Sequence, residues 1–205
     1  MDNTIMIGCL NCQNNKKNRQ NKKEVGSILA KHVKNFQYDI LGTQELTQPL
    51  FIQLQSSLSH YHMYGEYRFK RFSFLQHLPI IKSYNENNSI LTKDFVIEKS
   101  KTFYLPWFPK TTQDWLSKKP FLPRIVTVII CKNQKVGTIC IINTHLNHQI
   151  ANIQISQLQR LKNIVQEYQK RYPVILMGDF NMQSSFQPFQ TFIKEMEGVG
   201  LKRVE

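Results

Sequence analysis

The chain predicts an α/β or α+β fold in which helices cover mixed β-sheet, and three observations point there. Short apolar runs rich in β-branched residues recur along it, the pattern of buried strands. Between them, apolar residues return at helical spacing. KNQK (132–135) separates two strand-like runs closely enough for a hairpin, which places antiparallel neighbours in the sheet. No repeat, low-complexity linker or Pro/Gly-rich boundary divides the sequence, so residues 1–205 read as one domain.

In chain order the predicted strands are IMIGCL (5–10), YDILGT (38–43), SILT (89–92), RIVTVIIC (124–131), VGTICIIN (136–143) and PVILMG (173–178). Val25, Ile28, Leu29, Val33 and Phe36 share one face of a first helix. Leu158, Leu161, Ile164, Val165 and Tyr168 share a face of a second, and Phe189, Phe192, Ile193 and Met196 a face of a third. Residues 60–88 and 93–123 are aromatic-rich and carry neither period.

With 41% hydrophobic residues, a chain of 205 residues buries a substantial core, which excludes general disorder. Lysine and arginine number 27 against 14 acids, a net charge of +13 that favours an anionic partner such as nucleic acid, a phosphate ester or an acidic membrane surface. The N-terminal MDNTIMIGCLNC is too short and poorly flanked for a signal peptide, and no run of about 18 apolar residues offers a transmembrane segment. A cytoplasmic location and reduced cysteines are the expectation. Cys9 and Cys12 have C-x-x-C spacing, but Cys131 and Cys140 lie in strand-like runs, which leaves zinc two ligands short.

The informative pattern is where the apolar runs stop. IMIGCL leads to Asn11, YDILGT to Gln44 and Glu45, VGTICIIN to Thr144 and His145, and PVILMG to Asp179 and Asn181. One such ending is an ordinary turn or cap. Four endings deliver amides, carboxylates and an imidazole where loops leave an α/β sheet and sites form. In an extended chain Asp179 and Asn181 would face the same side, with Phe180 turned into the core. Such a set suits phosphate-ester hydrolysis, which requires a placed water and stabilised charge on phosphoryl oxygens. Glu45 with Asn11 offers oxygen ligands to a hard cation that keeps several waters, the magnesium style of binding.

NCQ around Asn11, DILGTQEL with Glu45, NENNSIL with Glu86 and Asn88, RIVTV with Arg124, NTHLNH with His145 and His148, and GDFN with Asp179 and Asn181 occur in that order over residues 5–181. In this ordered set the chain resembles the endonuclease/exonuclease/phosphatase superfamily, whose relatives include deoxyribonuclease I, exonuclease III, deadenylases, inositol polyphosphate 5-phosphatases and neutral sphingomyelinases. The resemblance implies a four-layer α/β/β/α sandwich with mixed, mainly antiparallel sheets, and hydrolysis of a phosphate ester with Mg²⁺ or Mn²⁺. It implies that Glu45 binds the metal with help from Asn11, that His145 hydrogen-bonds the scissile phosphate, and that Glu86 orients His145. Asp179 would align the attacking water and Asn181 bind a phosphate oxygen. Arg124, Asn88 and His148 would contact substrate, with Asn147 standing where the related NTHLDH pattern has aspartate.

The resembling enzymes close with an aspartate-containing strand and an Asp-His pair, whereas MQSSFQPFQTFIKEMEGVGLKRVE after Asn181 contains neither residue. The resemblance therefore implies a domain lacking its last strands, with impaired turnover and self-association through the incomplete sheet. Two other readings stay open: a noncatalytic phosphate- or nucleic-acid-binding relative, and a lipid phosphodiesterase whose FYLPWF (103–108) lies beside lysines. The basic KKNRQNKK (16–23) reads equally as a phosphate-backbone contact or as a solvated loop and helix start.

Overall fold

Alternate residues of a strand point to opposite faces, so a run apolar at every position must bury both. A computed structural model describes residues 4–15, 20–71, 84–108, 111–112 and 122–203. Along the chain come β1 (Ile7–Asn11), α1 (Lys22–Phe36), β2 (Ile40–Gln44), β3 (Leu46–Thr47), α2 (Gln48–Ser57), β4 (Tyr61–Tyr64), β5 (Glu86–Asn87) and β6 (Ile90–Lys93). There follow β7 (Val96–Leu105), β8 (Arg124–Asn133), β9 (Gly137–His145), α3 (Ala151–Gln169), β10 (Val174–Asp179) and α4 (Gln187–Gly198).

One sheet has the order β1-β2-β6-β4 and the other β10-β9-β8-β7, while β3 and β5 form a short ladder of their own. Only the β1–β2 and β9–β10 pairings are parallel among the described strands. The predicted hairpin is the β8–β9 connection, closed by Asn133 opposite Gly137.

Strand alternation sorts the core into layers. On β2 and β6, Ile40 and Ile90 face the second sheet, whereas Leu41 and Leu91 face the α1/α2 side with Ala30, Val33, Leu50 and Leu54. On β8 and β9, Ile129, Cys131, Ile139 and Ile141 fill the space between the sheets. Val126, Val128, Ile130, Cys140 and Ile142 turn outward onto Leu158, Leu161, Ile164 and Val165 of α3 and Phe192 and Met196 of α4. The result is the four-layer α/β/β/α sandwich, with mixed sheets whose pairings are mainly antiparallel.

The first helix departs from its predicted face. Ile28 and Phe36 are 61% and 52% exposed, and the buried positions are Gly26, Ala30 and Val33. The reason is α2, which the sequence pattern did not reveal: it lies so close that a Cβ on Gly26 would meet the Gln53 side chain. Phe36 instead stacks on Tyr38 at 5.7 Å. In FYLPWF, Leu105 is buried and Phe103 packs on the α3/α4 core, while Phe108 is exposed. Residues 16–19 of the basic stretch lie outside the described residues.

A polar clamp joins the sheets under their C-terminal ends. Asn143 on β9 is fully buried; its Nδ2 donates to the carbonyls of Thr43 at 2.9 Å and Ser89 at 2.8 Å, and its Oδ1 accepts from Gln44 Nε2 at 2.7 Å. Gly42 makes room, since a Cβ there would collide with Met177 Sδ and sit 3.1 Å from Asn143 Oδ1. Asn88 adds a second tie, donating to the Ile125 carbonyl at 2.8 Å.

Asn143→Ala strips these partners from buried polar groups, each costing about 1–3 kcal/mol when left unsatisfied. Urea denaturation is expected to show a loss of about 2–4 kcal/mol. A change below about 0.5 kcal/mol, the size of an ordinary surface substitution, contradicts the clamp.

Candidate active site

Parallel neighbours run in the same direction, so their C-terminal residues emerge together. Asn11 is level with Gln44 on β1–β2, and Asp179 is level with His145 on β9–β10. Asn11 links the two pairs across the sandwich: Nδ2 donates to Glu45 Oε1 at 3.1 Å and to Asp179 Oδ2 at 2.8 Å. Its Oδ1 accepts from the Gln13 N–H at 2.8 Å, which settles the orientation of the amide. Two carboxylates from opposite sheets are thereby held on one neutral donor.

The backbone is contorted where these groups leave the sheets. Glu45 has φ of +57° and Asn181 of +52°, in the left-handed region that costs a non-glycine residue about 1–2 kcal/mol. Gly178 has φ of +147°, and a Cβ there would collide with the Thr144 carbonyl oxygen, so only glycine fits before Asp179. The extended arrangement expected for Asp179 and Asn181 is not what forms. Asp179 Oδ1 accepts from the Asn181 N–H at 2.9 Å, closing an Asx turn, and Asn181 Nδ2 donates to the Leu146 carbonyl at 3.1 Å. Phe180 does turn into the core, 5.2 Å from the Phe189 ring.

His145 is 4% exposed, and its Nε2 lies 3.9 Å from Glu45 Oε1 and 4.0 Å from Asp179 Oδ2. Its Nδ1 faces Arg124 Nη1 at 3.0 Å. A guanidinium can only donate, so Nδ1 accepts and the ring proton sits on Nε2, toward the carboxylates. Burial, then the charges of Arg124 and Arg68 and finally His148, holds the imidazole well below its ordinary pKa. His145 is therefore a neutral hydrogen-bond donor at physiological pH. Arg124 extends its other arm to His148 Nδ1 at 3.3 Å, so both imidazoles are set by one fork. Burial draws Arg124 down to about 10, opposed by Glu45 and Asp179, which leaves it charged at neutral pH.

Glu86 is placed differently from its expected position behind His145. It pairs with Arg68, which is 4% exposed, and accepts from Asn14 Nδ2 at 2.6 Å. The β3–β5 ladder holds it there, with Thr47 opposite Glu86. Asn88, bonded to Ile125, is part of the inter-sheet tie. Arg68 and Asn14 are site residues that no sequence pattern marked. Asn14 ties the acids together, its backbone N–H donating to Glu45 Oε2 at 2.6 Å. Burial, then Arg124, pulls the Arg68 guanidinium below its ordinary value, while Glu45 opposes that. Asn147 accepts from the N–H groups of Gln149 at 2.8 Å and Ile150 at 2.9 Å. That position needs an acceptor oxygen, which asparagine supplies as aspartate would.

All four cysteines are free. Burial pushes the Cys12, Cys131 and Cys140 thiols up to about 12, unsuited to zinc or nucleophilic chemistry. Among the described residues no group of three or more His, Cys, Asp or Glu is arranged to hold a metal. The carboxylates of Glu45 and Asp179 are hard oxygen donors, which fits a cation that retains waters, whereas Asn11, expected to help ligate the metal, turns its NH2 group toward them and its oxygen to the Gln13 N–H, so it orients the two acids.

The depressed His145 value has a consequence for stability. Below about pH 6.5 an unfolded imidazole takes up a proton that the folded site refuses, so stability falls as pH drops, by up to about 1.4 kcal/mol per pH unit. Denaturation at pH values from about 7.5 to 5.5 is expected to show a shallower dependence in His145→Gln than in the parent. Identical slopes contradict a neutral, buried His145.

A family model described as Endonuclease/Exonuclease/phosphatase family matches residues 8–195. No curated protein matches the chain. Among solved structures, a mannosyl-6-phosphatase of Bacteroides thetaiotaomicron superposes with a TM-score of 0.75 at 21% identity, covering 94% of this chain and 71% of that one. Truncated TDP2 of Caenorhabditis elegans superposes with 0.65 at 16% identity, covering 98% and 66%. ANGEL2, a 2′,3′-cyclic phosphatase in complex with adenosine-2′,3′-vanadate, gives 0.70 at 18%, covering 93% and 57%. At these identities the superpositions establish the fold, and the match over residues 8–195 establishes descent: the chain belongs to the Endonuclease/Exonuclease/phosphatase family.

Proposed function

We propose that the protein hydrolyses phosphate esters with Mg²⁺ or Mn²⁺. The observation that carries this reading is the Asn11 amide bonded to both Glu45 and Asp179, with the His145 Nε2–H within 4.0 Å of each carboxylate. Two like charges so close repel, and a divalent cation held by Glu45 and Asp179, which Asn11 keeps side by side, would relieve that repulsion. When bound, the ion supplies positive charge for a phosphoryl oxygen and lowers the pKa of a coordinated water.

The chain's own residues account for the rest. His145 donates from Nε2 to a phosphoryl oxygen, and Arg124 fixes the ring so that this proton always points outward. Asp179, oriented by the Asn181 N–H, is the acceptor that aligns a water for in-line attack. Asn181 Nδ2 bonds Leu146 through one hydrogen and presents its second to a phosphoryl oxygen. The Arg68–Glu86 pair adds no net charge and buttresses Asn14, which in turn holds Glu45.

Turnover is tested with an aryl phosphomonoester, an aryl phosphodiester, DNA, RNA and sphingomyelin, each with Mg²⁺, Mn²⁺ or EDTA. His145→Ala and Asp179→Asn are each expected to lower kcat by roughly 10²–10⁴ on the accepted substrate. Near-parent turnover in both variants contradicts the assignment. Metal-independent binding of phosphate with no turnover of any substrate favours the noncatalytic reading instead.

A second expectation concerns the metal alone. Glu45→Gln removes a charged oxygen ligand, so calorimetry is expected to show at least roughly tenfold weaker Mg²⁺ binding, the scale seen when a group supporting a metal site is removed. Unchanged affinity removes Glu45 from the metal site.

A further inference from the structure

The end of α3 and the edge of the second sheet enclose a cavity of about 600 Å³. Lys99 and Lys101 of β7 line it together with Lys170 and Arg171 just beyond α3, and Tyr168 and Tyr172 are also in its wall. Val128 and Ile130, both buried, lie at its floor, and among the described residues Glu167 is the one acid in the lining. None of these residues belongs to the cluster around Asn11. α3 begins beside that cluster, where Gln154 Nε2 donates to the Asn181 carbonyl at 3.1 Å. Its 19 residues then run about 28 Å to the cavity.

Three lysines elsewhere on the surface are neutralised by acids. Lys70, Lys135 and Lys162 are paired with Glu66, Asp39 and Glu195. Among the described residues Lys99, Lys101, Lys170 and Arg171 make no ion pair. The basic surface also continues along α3. The Lys101 ammonium lies 4.6 Å from the Phe103 ring centre, and the Arg160 guanidinium of α3 lies 5.7 Å from the same ring. Gathering unpaired like charges around a recess is unfavourable without an anion to share them.

We propose that this cavity and the basic surface beside it bind single-stranded nucleic acid. A cavity of this volume admits a ligand of nucleotide size. Cations suit the phosphates, and Tyr168 and Tyr172, partly buried against the α3/α4 core, give the wall aromatic atoms against which a base can pack. A duplex keeps its bases paired and its grooves outside such a recess. An anionic bilayer engages protruding residues, whereas this charge lines a concavity with Val128 and Ile130 beneath it. The proposal does not rest on hydrolysis, so it is measured with metal removed.

The probe is a fluorescent oligothymidylate or oligouridylate of about a dozen nucleotides, within the roughly 4–16-nucleotide range of such sites. Its anisotropy is followed in EDTA against the full chain, over a series of salt concentrations. Lys170→Glu with Arg171→Glu, and separately Lys99→Glu with Lys101→Glu, are expected to weaken binding at least roughly tenfold. Each pair is also expected to reduce the slope of log affinity against log salt by about 1.4, at about 0.7 for every phosphate no longer neutralised. Lys170→Gln with Arg171→Gln is expected to weaken binding less than the glutamate pair, and unchanged melting temperatures show that the variants fold. Affinity and salt slope equal to the parent in both glutamate pairs overturn the proposal. So does loss of binding to phosphatidylserine vesicles in the variants while oligonucleotide affinity is unchanged.

Discussion

The buried amide of Asn143 is the interaction on which the site's geometry depends. Apolar packing between two sheets is non-directional and tolerates sliding, whereas an amide bonded to Thr43, Ser89 and Gln44 does not. It lies two residues before His145 on β9, and two of its partners, Thr43 and Gln44, end β2 just before Glu45. The clamp thus sets the distance between a carboxylate on one sheet and an imidazole on the other. A displacement of about 1 Å at a reacting centre can cost about a hundredfold in rate, which gives physical meaning to a rigid tie at this depth.

Above the clamp, electrostatics are arranged in tiers. The two carboxylates on Asn11 provide a negative focus, and the buried Arg124 and Arg68 lie behind it. Burial, then the charge of Arg124, keeps His145 neutral, and Arg124 holds its proton outward, so the imidazole donates without needing to titrate. A cation drawn to the carboxylates and an anion drawn to the arginines and His145 would meet between them. That ordering of charge is what supports the proposed metal and phosphate chemistry.

Much of the fold was legible because its central strands are buried on both faces: a continuous run such as RIVTVIIC admits few other readings. The site was legible for the same reason, since a polar group ending such a run, as at Asn11, His145 or Asp179, is conspicuous. α2 was hidden because Leu50 and Leu54 are its only buried residues while Ile52 is 56% exposed, which blurs the helical period. β7 was hidden because half of its side chains are exposed and a register shift between Ile97 and Lys99 interrupts the alternation. Arg68 and the Arg68–Glu86 pair were illegible because their proximity is created by tertiary folding across a segment without periodicity. The turn at Asn181 was misjudged because the Asp179 side chain, by bonding the Asn181 N–H, replaces extension with a local alternative.

The central claim is that strand ends from both sheets build one divalent-cation site beside His145. Paramagnetic broadening by Mn²⁺ tests it most directly, because the effect is strongest in nuclei nearest the ion. The account predicts that substoichiometric Mn²⁺ broadens the His145 ring and Asn11 side-chain amide resonances first, and that Asp179→Asn weakens this effect without altering the fold. Broadening centred elsewhere, with His145 and Asn11 untouched, would contradict it.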